Sequence, residues 1–277
     1  MVHPGRAEAV NLATRAAEWL SARSHQAVVT EEDPRLSRLP GVKVAPEADA
    51  VAGADLAVSL GGDGTMLRTV QLALEAGVPV MGANLGQLGY LSSVEPARLC
   101  EALEEYLAGR YSIEERLVLT VRQTRTERVL AALNEAVLEK TVPGHTVRLS
   151  LSLSGEHFIT LAADGVIVST PTGSTAYNLS ARGPILSPSL RALLVTPVSP
   201  HMLFDRSLVL DPQAVVRLEV LRERPAVLVV DGVEVSVLEP GDAVECGSAP
   251  QPARFVTFED QPAFHSIVKA KFNLSDR

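Results

Sequence analysis

Three stretches of the chain carry side chains whose types and spacing suit work on a polar, phosphate-bearing ligand. The first is Leu60-Gly61-Gly62-Asp63-Gly64-Thr65. It joins the end of an apolar run to the start of a helical pattern, the edge of an open α/β sheet where ligands bind. Glycines let backbone approach a phosphate, and a helix N-terminus offers unpaired N–H groups with a positive dipole end. Asp63 adds a carboxylate beside them. The alternative is a tight turn with Asp63 or Thr65 as helix cap. No G-K-[ST] follows, so this is not a Walker A loop, and the spacing is not that of a G-x-G-x-x-G fingerprint.

The second stretch runs from Asp164 to Asn178. Between Ser169 and Asn178, seven of ten residues are Ser, Thr, Tyr or Asn. Ser174 or Thr175 could cap a helix there, but one cap does not need so many polar groups. They suit a ligand rich in acceptors, such as ribose and phosphate, and Tyr177 offers a flat face to a base. The third is Asn134-Glu135, set in the strand-like run Ala131–Leu138. An adjacent Asn–Glu pair in apolar surroundings is costly unless satisfied. A carboxylate commonly holds a ribose diol; the alternative is a surface pair at a strand end.

The elements that must position these residues change character near residue 112. Before it, residues 6–22 have helical periodicity, and Val42–Val44 is a short apolar segment in a polar, proline-containing region. A strand at Leu56–Leu60, a helix at Thr65–Ala76, a strand at Val78–Gly82, the loop Asn84–Gly89 and a helix at Pro96–Leu107 predict a mostly parallel, open sheet. Only Met1–His3 precedes the first helix, too short for the strand expected there; a start upstream of Met1 would explain this. After Tyr111, strand follows strand: Leu117–Val121, Val129–Leu133, Val147–Leu153, Val166–Val168, Val215–Leu221, Ala226–Val230, Val233–Val237, Phe255–Phe258 and Ile267–Phe272. One helix is expected near Ser174. The predicted domains are an α/β phosphate- and nucleotide-binding domain at 1–112 and a β-rich domain at 113–263. A last segment, 264–277, is expected to return to the first domain.

Composition narrows the function. The 277 residues carry 25 basic and 33 acidic side chains, a net charge of −8, with no basic cluster. That argues against coating nucleic acid or a membrane surface. No apolar run reaches the roughly 20 residues that span a bilayer, and no signal-peptide pattern opens the chain. A cytoplasmic protein is expected. Cys100 and Cys246 form neither a disulfide framework nor a zinc motif. The histidines at 3, 25, 145, 157, 201 and 265 lack metal-ligand spacing, and no protein ligand for a metal is assigned.

Taken together, Gly61–Thr65, Asn134-Glu135 and Asp164–Tyr177 resemble, in order, the hallmarks of the NAD kinase family. Ala181–Pro184 and Pro197–His201 resemble two further family stretches. The resemblance covers nearly the whole chain. It implies a magnesium-dependent transfer of the ATP γ-phosphoryl group to the 2′-hydroxyl of the adenosine ribose of NAD. Asp63 would orient that hydroxyl and accept its proton, while Gly61, Gly62, Gly64 and Thr65 hold the donor phosphates. Asp63, Gly64, Arg68, Asn134, Glu135, His145, Asp164, Thr175, Ala176, Tyr177, Asn178 and Ser180 would contact NAD. The active site would lie between the domains, in a homodimer or homotetramer. This sequence departs from the family at Arg182, where a glycine is usual, at Ala162, where some relatives are basic, and at Val233, where a polar residue is common. An uncharged Ala162 keeps inorganic polyphosphate open as a second donor. A lipid or sugar-phosphate kinase and a non-catalytic dinucleotide sensor are the rival readings. The sequence leaves open NAD against NADH and feedback by NADP.

Overall fold

The computed structural model describes residues 1–3, 5–30, 36–38, 41–86, 89–91, 94–221 and 224–274. The chain divides into two units, Met1–Glu115 with Ala253–Arg277, and Arg116–Pro252.

In the first unit, α1 (Ala7–Ser21) turns Val10, Leu12, Ala13 and Ala16 inward, the stripe its periodicity predicts. β1 (Ala27–Thr30) and β2 (Val42–Ala45) form a small parallel pair. β3 (Ala57–Gly61) leads into α2 (Asp63–Ala76), which stops at Gly77 in the left-handed region (φ 65°). β4 (Val80–Asn84), α3 (Leu99–Leu107) and β5 (Ser112–Arg116) follow. Residues ahead of α1 also contribute to the sheet edge: Val2 makes a parallel bridge with Leu60, and the Leu60 N–H donates to Met1 O.

The second unit is antiparallel throughout. Its strands are β6 (Leu119–Gln123), β7 (Val129–Ala132), β8 (Glu135–Lys140), β9 (Val147–Leu153), β10 (Glu156–Ala163) and β11 (Gly165–Ser169). After a 3-10 turn at Thr172–Thr175 comes the single-turn α4 (Tyr177–Ser180). Then follow β12 (Leu193–Val198), β13 (Leu208–Leu210), β14 (Val216–Val220), β15 (Ala226–Val230), β16 (Val233–Leu238) and β17 (Ala243–Ser248). They make two six-stranded sheets, ordered β10-β9-β14-β17-β6-β7 and β13-β12-β11-β8-β15-β16. Leu119, Leu149, Leu151 and Leu218 from one sheet share a core with Leu138, Val166, Val168 and Leu228 from the other. The alternation of Val147–Leu153 is kept, with Val147, Leu149 and Leu151 buried and Arg148 exposed.

The chain then re-enters the first unit. β18 (Ala253–Thr257) pairs in parallel with β4, Phe255 opposite Val80, and the four-stranded order is β3-β4-β18-β5. Phe255–Phe258, expected to continue the antiparallel series, thus belongs to the parallel sheet. The last element, α5 (Phe264–Lys271), corrects the strand expected at Ile267–Phe272. The apolar positions 264, 267, 268 and 272 fit a 3.6-residue period, and Lys269 and Lys271 suit the negative end of a helix. The run Ala131–Leu138 is likewise two strands, β7 in one sheet and β8 in the other, with Asn134 at the crossing.

Candidate active site

In the first unit the candidate residues lie where β3 becomes α2. The cap position is Gly62, in extended backbone (φ −103°), and Asp63 is the first helical residue, so neither Asp63 nor Thr65 is the cap. Gly61 is required by packing, because a Cβ there would lie 2.3 Å from Thr65 Oγ1. Among the described residues, nothing lies within 4 Å of the position a Cβ would take on Gly62 or Gly64, a backbone that a phosphate can approach closely.

Asp63 is held from the loop after β4. Its Oδ2 accepts the Tyr90 N–H (3.2 Å) and its Oδ1 the Leu91 N–H (3.3 Å). Gly89 lies flush against the same carboxylate, where a Cβ would stand 2.3 Å from Oδ1. The Asn84 side chain turns the loop by accepting the Gly86 N–H, and Arg6 Nη1 donates to Leu85 O at 2.6 Å. Burial and then the Asp63 charge push the Tyr90 phenol up. Tyr90, Asn84 and Arg6 were not among the sequence candidates; the loop Asn84–Gly89 was visible, but its partners come from elements distant in sequence. Arg68 is engaged elsewhere: its guanidinium makes a two-pronged ion pair with Glu47, both contacts 2.7 Å, and holds that carboxyl below its usual range.

The second unit gathers its candidates around the crossing from β7 to β8. Three consecutive N–H groups there converge on the carboxylate of Asp231, a residue the sequence reading did not single out as a ligand of backbone. Leu133 N–H donates to Oδ2 at 2.8 Å, and Asn134 and Glu135 N–H donate to Oδ1 at 2.8 and 3.1 Å. Asp231 N–H returns a bond to Glu135 O. Behind the corner, Ser169 Oγ and Thr170 N–H both donate to Asn134 O, and Thr170 Oγ1 donates to Leu133 O. The 3-10 turn packs against it so closely that a Cβ on Gly173 would sit 2.1 Å from Asn134 O.

Glu135 is 6% exposed, and its Oε2 has no hydrogen-bond partner among the described residues. Burial first, then the Asp231 charge, push its carboxyl up to about 7, opposed by the Tyr177 N–H that donates to it. Burial, and next Glu139 and Asp164, push the Tyr177 phenol up. Asp164 is itself paired with Lys140 (Nζ to Oδ1 2.6 Å). Glu135, Tyr177, Asp164 and the Thr175–Ala176 turn are therefore brought into one neighbourhood. Tyr177 and Ser180 are exposed, while Thr175 Oγ1 donates to Thr172 O. Asn178 is placed differently from a surface contact. It is fully buried, its Nδ2 donates to Ser174 O and Pro184 O, and its Oδ1 accepts the Thr196 hydroxyl. It braces the loop from behind. His145 is exposed in the loop after β8, where its backbone N–H makes a long bond to Val142 O. Ala162 lies directly across from Arg148 on the neighbouring strand. Among the described residues no three His, Cys, Asp or Glu side chains converge as a metal cage.

A parallel-sheet unit with an open glycine turn at a helix start, followed by an antiparallel unit with a hydroxyl-rich loop and a buried carboxylate, is suited to handling a nucleotide and its phosphates. Comparison with known families narrows this further. The ATP-NAD kinase N-terminal domain matches residues 1–111, and the ATP-NAD kinase C-terminal domain matches residues 133–258. The NAD kinase of Heliobacterium modesticaldum is 41% identical over 90% of this chain and 87% of its own length. That of Nocardia farcinica is 36% identical over 99% and 90%. Among solved structures, yeast NADH kinase complexed with NADH has a TM-score of 0.85 at 28% identity, covering 99% of this chain and 87% of its own. An NAD kinase from Archaeoglobus fulgidus in complex with ATP has a TM-score of 0.70 at 25% identity, covering 90% and 96%. The chain belongs to the NAD kinase family, and it is an enzyme that phosphorylates NAD.

Proposed function

We propose that the chain transfers the ATP γ-phosphoryl group to the 2′-hydroxyl of the adenosine ribose of NAD, with Asp63 as the group that handles the hydroxyl proton. The observation that carries this is the setting of Asp63, at the first residue of α2, between two open glycines, with its carboxylate fixed by two backbone N–H donors. A ribose hydroxyl hardly ionises at neutral pH and a carboxylate is a weak base. Asp63 therefore orients the hydroxyl and takes its proton late, as the phosphoryl group transfers. The backbone at Gly61–Thr65 receives the donor phosphates.

Magnesium binds through substrate phosphates plus one or two carboxylates, and this loop offers the carboxylate of Asp63. When bound, the ion neutralises charge on the transferring group. On the second unit, Glu135 Oε2, buried and lacking a donor, fits a ribose hydroxyl, with Asn134 beside it. Tyr177 supplies a face for adenine, Thr175, Ala176 and Ser180 line it, and Asp164 contacts the dinucleotide. Arg68 and His145 are assigned as contacts by the resemblance alone, and Asn178 supports the loop. The reading includes a homodimer or homotetramer in the cytoplasm; exposed Val129, Val233 and Val237 on β7 and β16 support association.

The test is NADP formation from NAD, ATP and magnesium, with D63N alongside. Wild type should make NADP. D63N should lose about 10²- to 10⁴-fold in kcat with the NAD dissociation constant nearly unchanged. Equal losses in both would remove the proton-handling role. Polyphosphate in place of ATP, and NADH in place of NAD, decide donor and acceptor preference.

A further inference from the structure

The crossing from β7 to β8 needs an explanation that the ligand-contacting residues do not supply. Leu133, Asn134 and Glu135 point three successive N–H groups at one place, and successive N–H groups form a concavity that takes an anion. Here the anion is internal, the Asp231 carboxylate. Asp231 reaches it from the two-residue turn between β15 and β16, where Val230 pairs with Val233. Asp231 and Gly232 both have positive φ, 46° and 80°, the turn favoured by Asp-Gly. Asp231 is nearly buried, at 9% exposure. A second charge so close to Glu135 is unfavourable for both, so the arrangement needs a compensating use.

We infer that Asp231 is a positioning residue for the dinucleotide: without touching it, its carboxylate fixes the backbone of Leu133, Asn134 and Glu135 and so holds the Glu135 side chain where ribose hydroxyls can reach it. This rests on the reading of Glu135 as the ribose-holding carboxylate. The groups facing Glu135 are Asp231 from the β15–β16 turn and Tyr177 from α4. Its cross-strand neighbour on β11 is Ser169, and the Thr172–Thr175 turn carries no ionisable group. Glu139, Asp164 and Lys140 act on Tyr177. In free enzyme Glu135 has one N–H donor and an unpartnered oxygen. Ribose hydroxyls add donors that favour the carboxylate, so NAD binding drives off the Glu135 proton and tightens as pH rises through about 7.

Calorimetry of NAD binding to the wild-type enzyme from pH 5.5 to 8.5, in buffers of different ionisation enthalpy, should show that tightening together with proton release. D231N keeps the turn, since Asn also tolerates positive φ, but loses the charge and one acceptor. It should weaken NAD about tenfold at pH 8, the equivalent of one lost interaction of about 1.4 kcal/mol. ATP KM and saturating kcat should stay within about twofold, and the pH midpoint should move down by roughly one unit. D231A, with no acceptor, should be weaker still for NAD. Three outcomes overturn the inference while leaving the ribose reading in place. One is a flat wild-type pH profile without proton release. Another is D231N binding NAD as wild type does while E135Q weakens it, which leaves the ribose reading standing. The third is a D231N that loses ATP affinity, kcat and Tm in step with NAD affinity, which is a purely structural role. E135Q that binds NAD normally would instead remove the ribose reading itself, and the inference with it.

Discussion

Asp63 depends on a neighbour that has no side chain. Its carboxylate can lie against the backbone of Gly89 because nothing projects there, and G89A would place a Cβ 2.3 Å from Oδ1. The carboxylate would have to swing away from Tyr90 and Leu91. A displacement of about 1 Å at a reacting group can cost on the order of 10²-fold. Steady-state kinetics on G89A should show that loss in kcat, with NAD affinity close to wild type. Glu135 makes a different prediction. Its carboxyl titrates at about 7 in the folded chain against 4.5 in the reference state. Between those values the folded state binds more protons than the unfolded one, so its contribution to stability falls as pH rises. The full difference is about 3 kcal/mol. E135Q, which cannot ionise, should gain stability over wild type at pH 8 and little at pH 5, read by chemical denaturation, while losing NAD affinity. An equal gain at both pH values would contradict the assignment.

Among the elements, the loop from α4 to β12 carries a visible departure. Arg182 stands at φ 65°, a conformation that costs an L residue with a Cβ about 1–2 kcal/mol, and Gly183 next to it cannot take a Cβ without striking Asn178 Oδ1 at 2.0 Å. Arg182 is exposed, so nothing apolar is lost on its removal. R182G should raise stability by about 0.5–1 kcal/mol after the entropy glycine adds to the unfolded chain; a thermal melt that falls would show the arginine has a partner worth more than the strain. The three chemical motifs were legible in sequence because each is local: glycines, hydroxyls, an Asn–Glu pair and helix starts, each set within a short stretch of chain. What sets their geometry was not. Asp231, Tyr90 and Lys140 reach the motifs from 96, 27 and 24 residues away. Strands were missed for local reasons. β10 opens on Glu156-His157, β12 contains Pro197 and β17 contains Gly247, all poor strand signals. The Asn134-Glu135 break was hidden because apolar residues flank it on both sides, and periodicity cannot see a change of sheet.

For the molecule as a whole, the decisive fact is that β18 lies inside the first unit's sheet, between β4 and β5. Composition and strand spacing carried the fold class, but no local pattern says which sheet a late strand joins. A chain cut at Pro252 would leave β4 and β5 without the strand that separates them. It should lose the melting transition and protease resistance of the first unit. The fragment 116–252 has both of its sheets and its own core, so it should melt cooperatively alone; if it does not, the two units are not independently stable.

The same interior strand sets an order of events during synthesis. The second unit is complete once Pro252 leaves the ribosome. The first unit, although its residues emerge earliest, must wait with open strand edges until Ala253–Thr257 arrives. Until then a nascent chain displays β4 and β5 as templates for pairing with other chains, so a strand made after the whole second unit guards against misassembly of strands made before it.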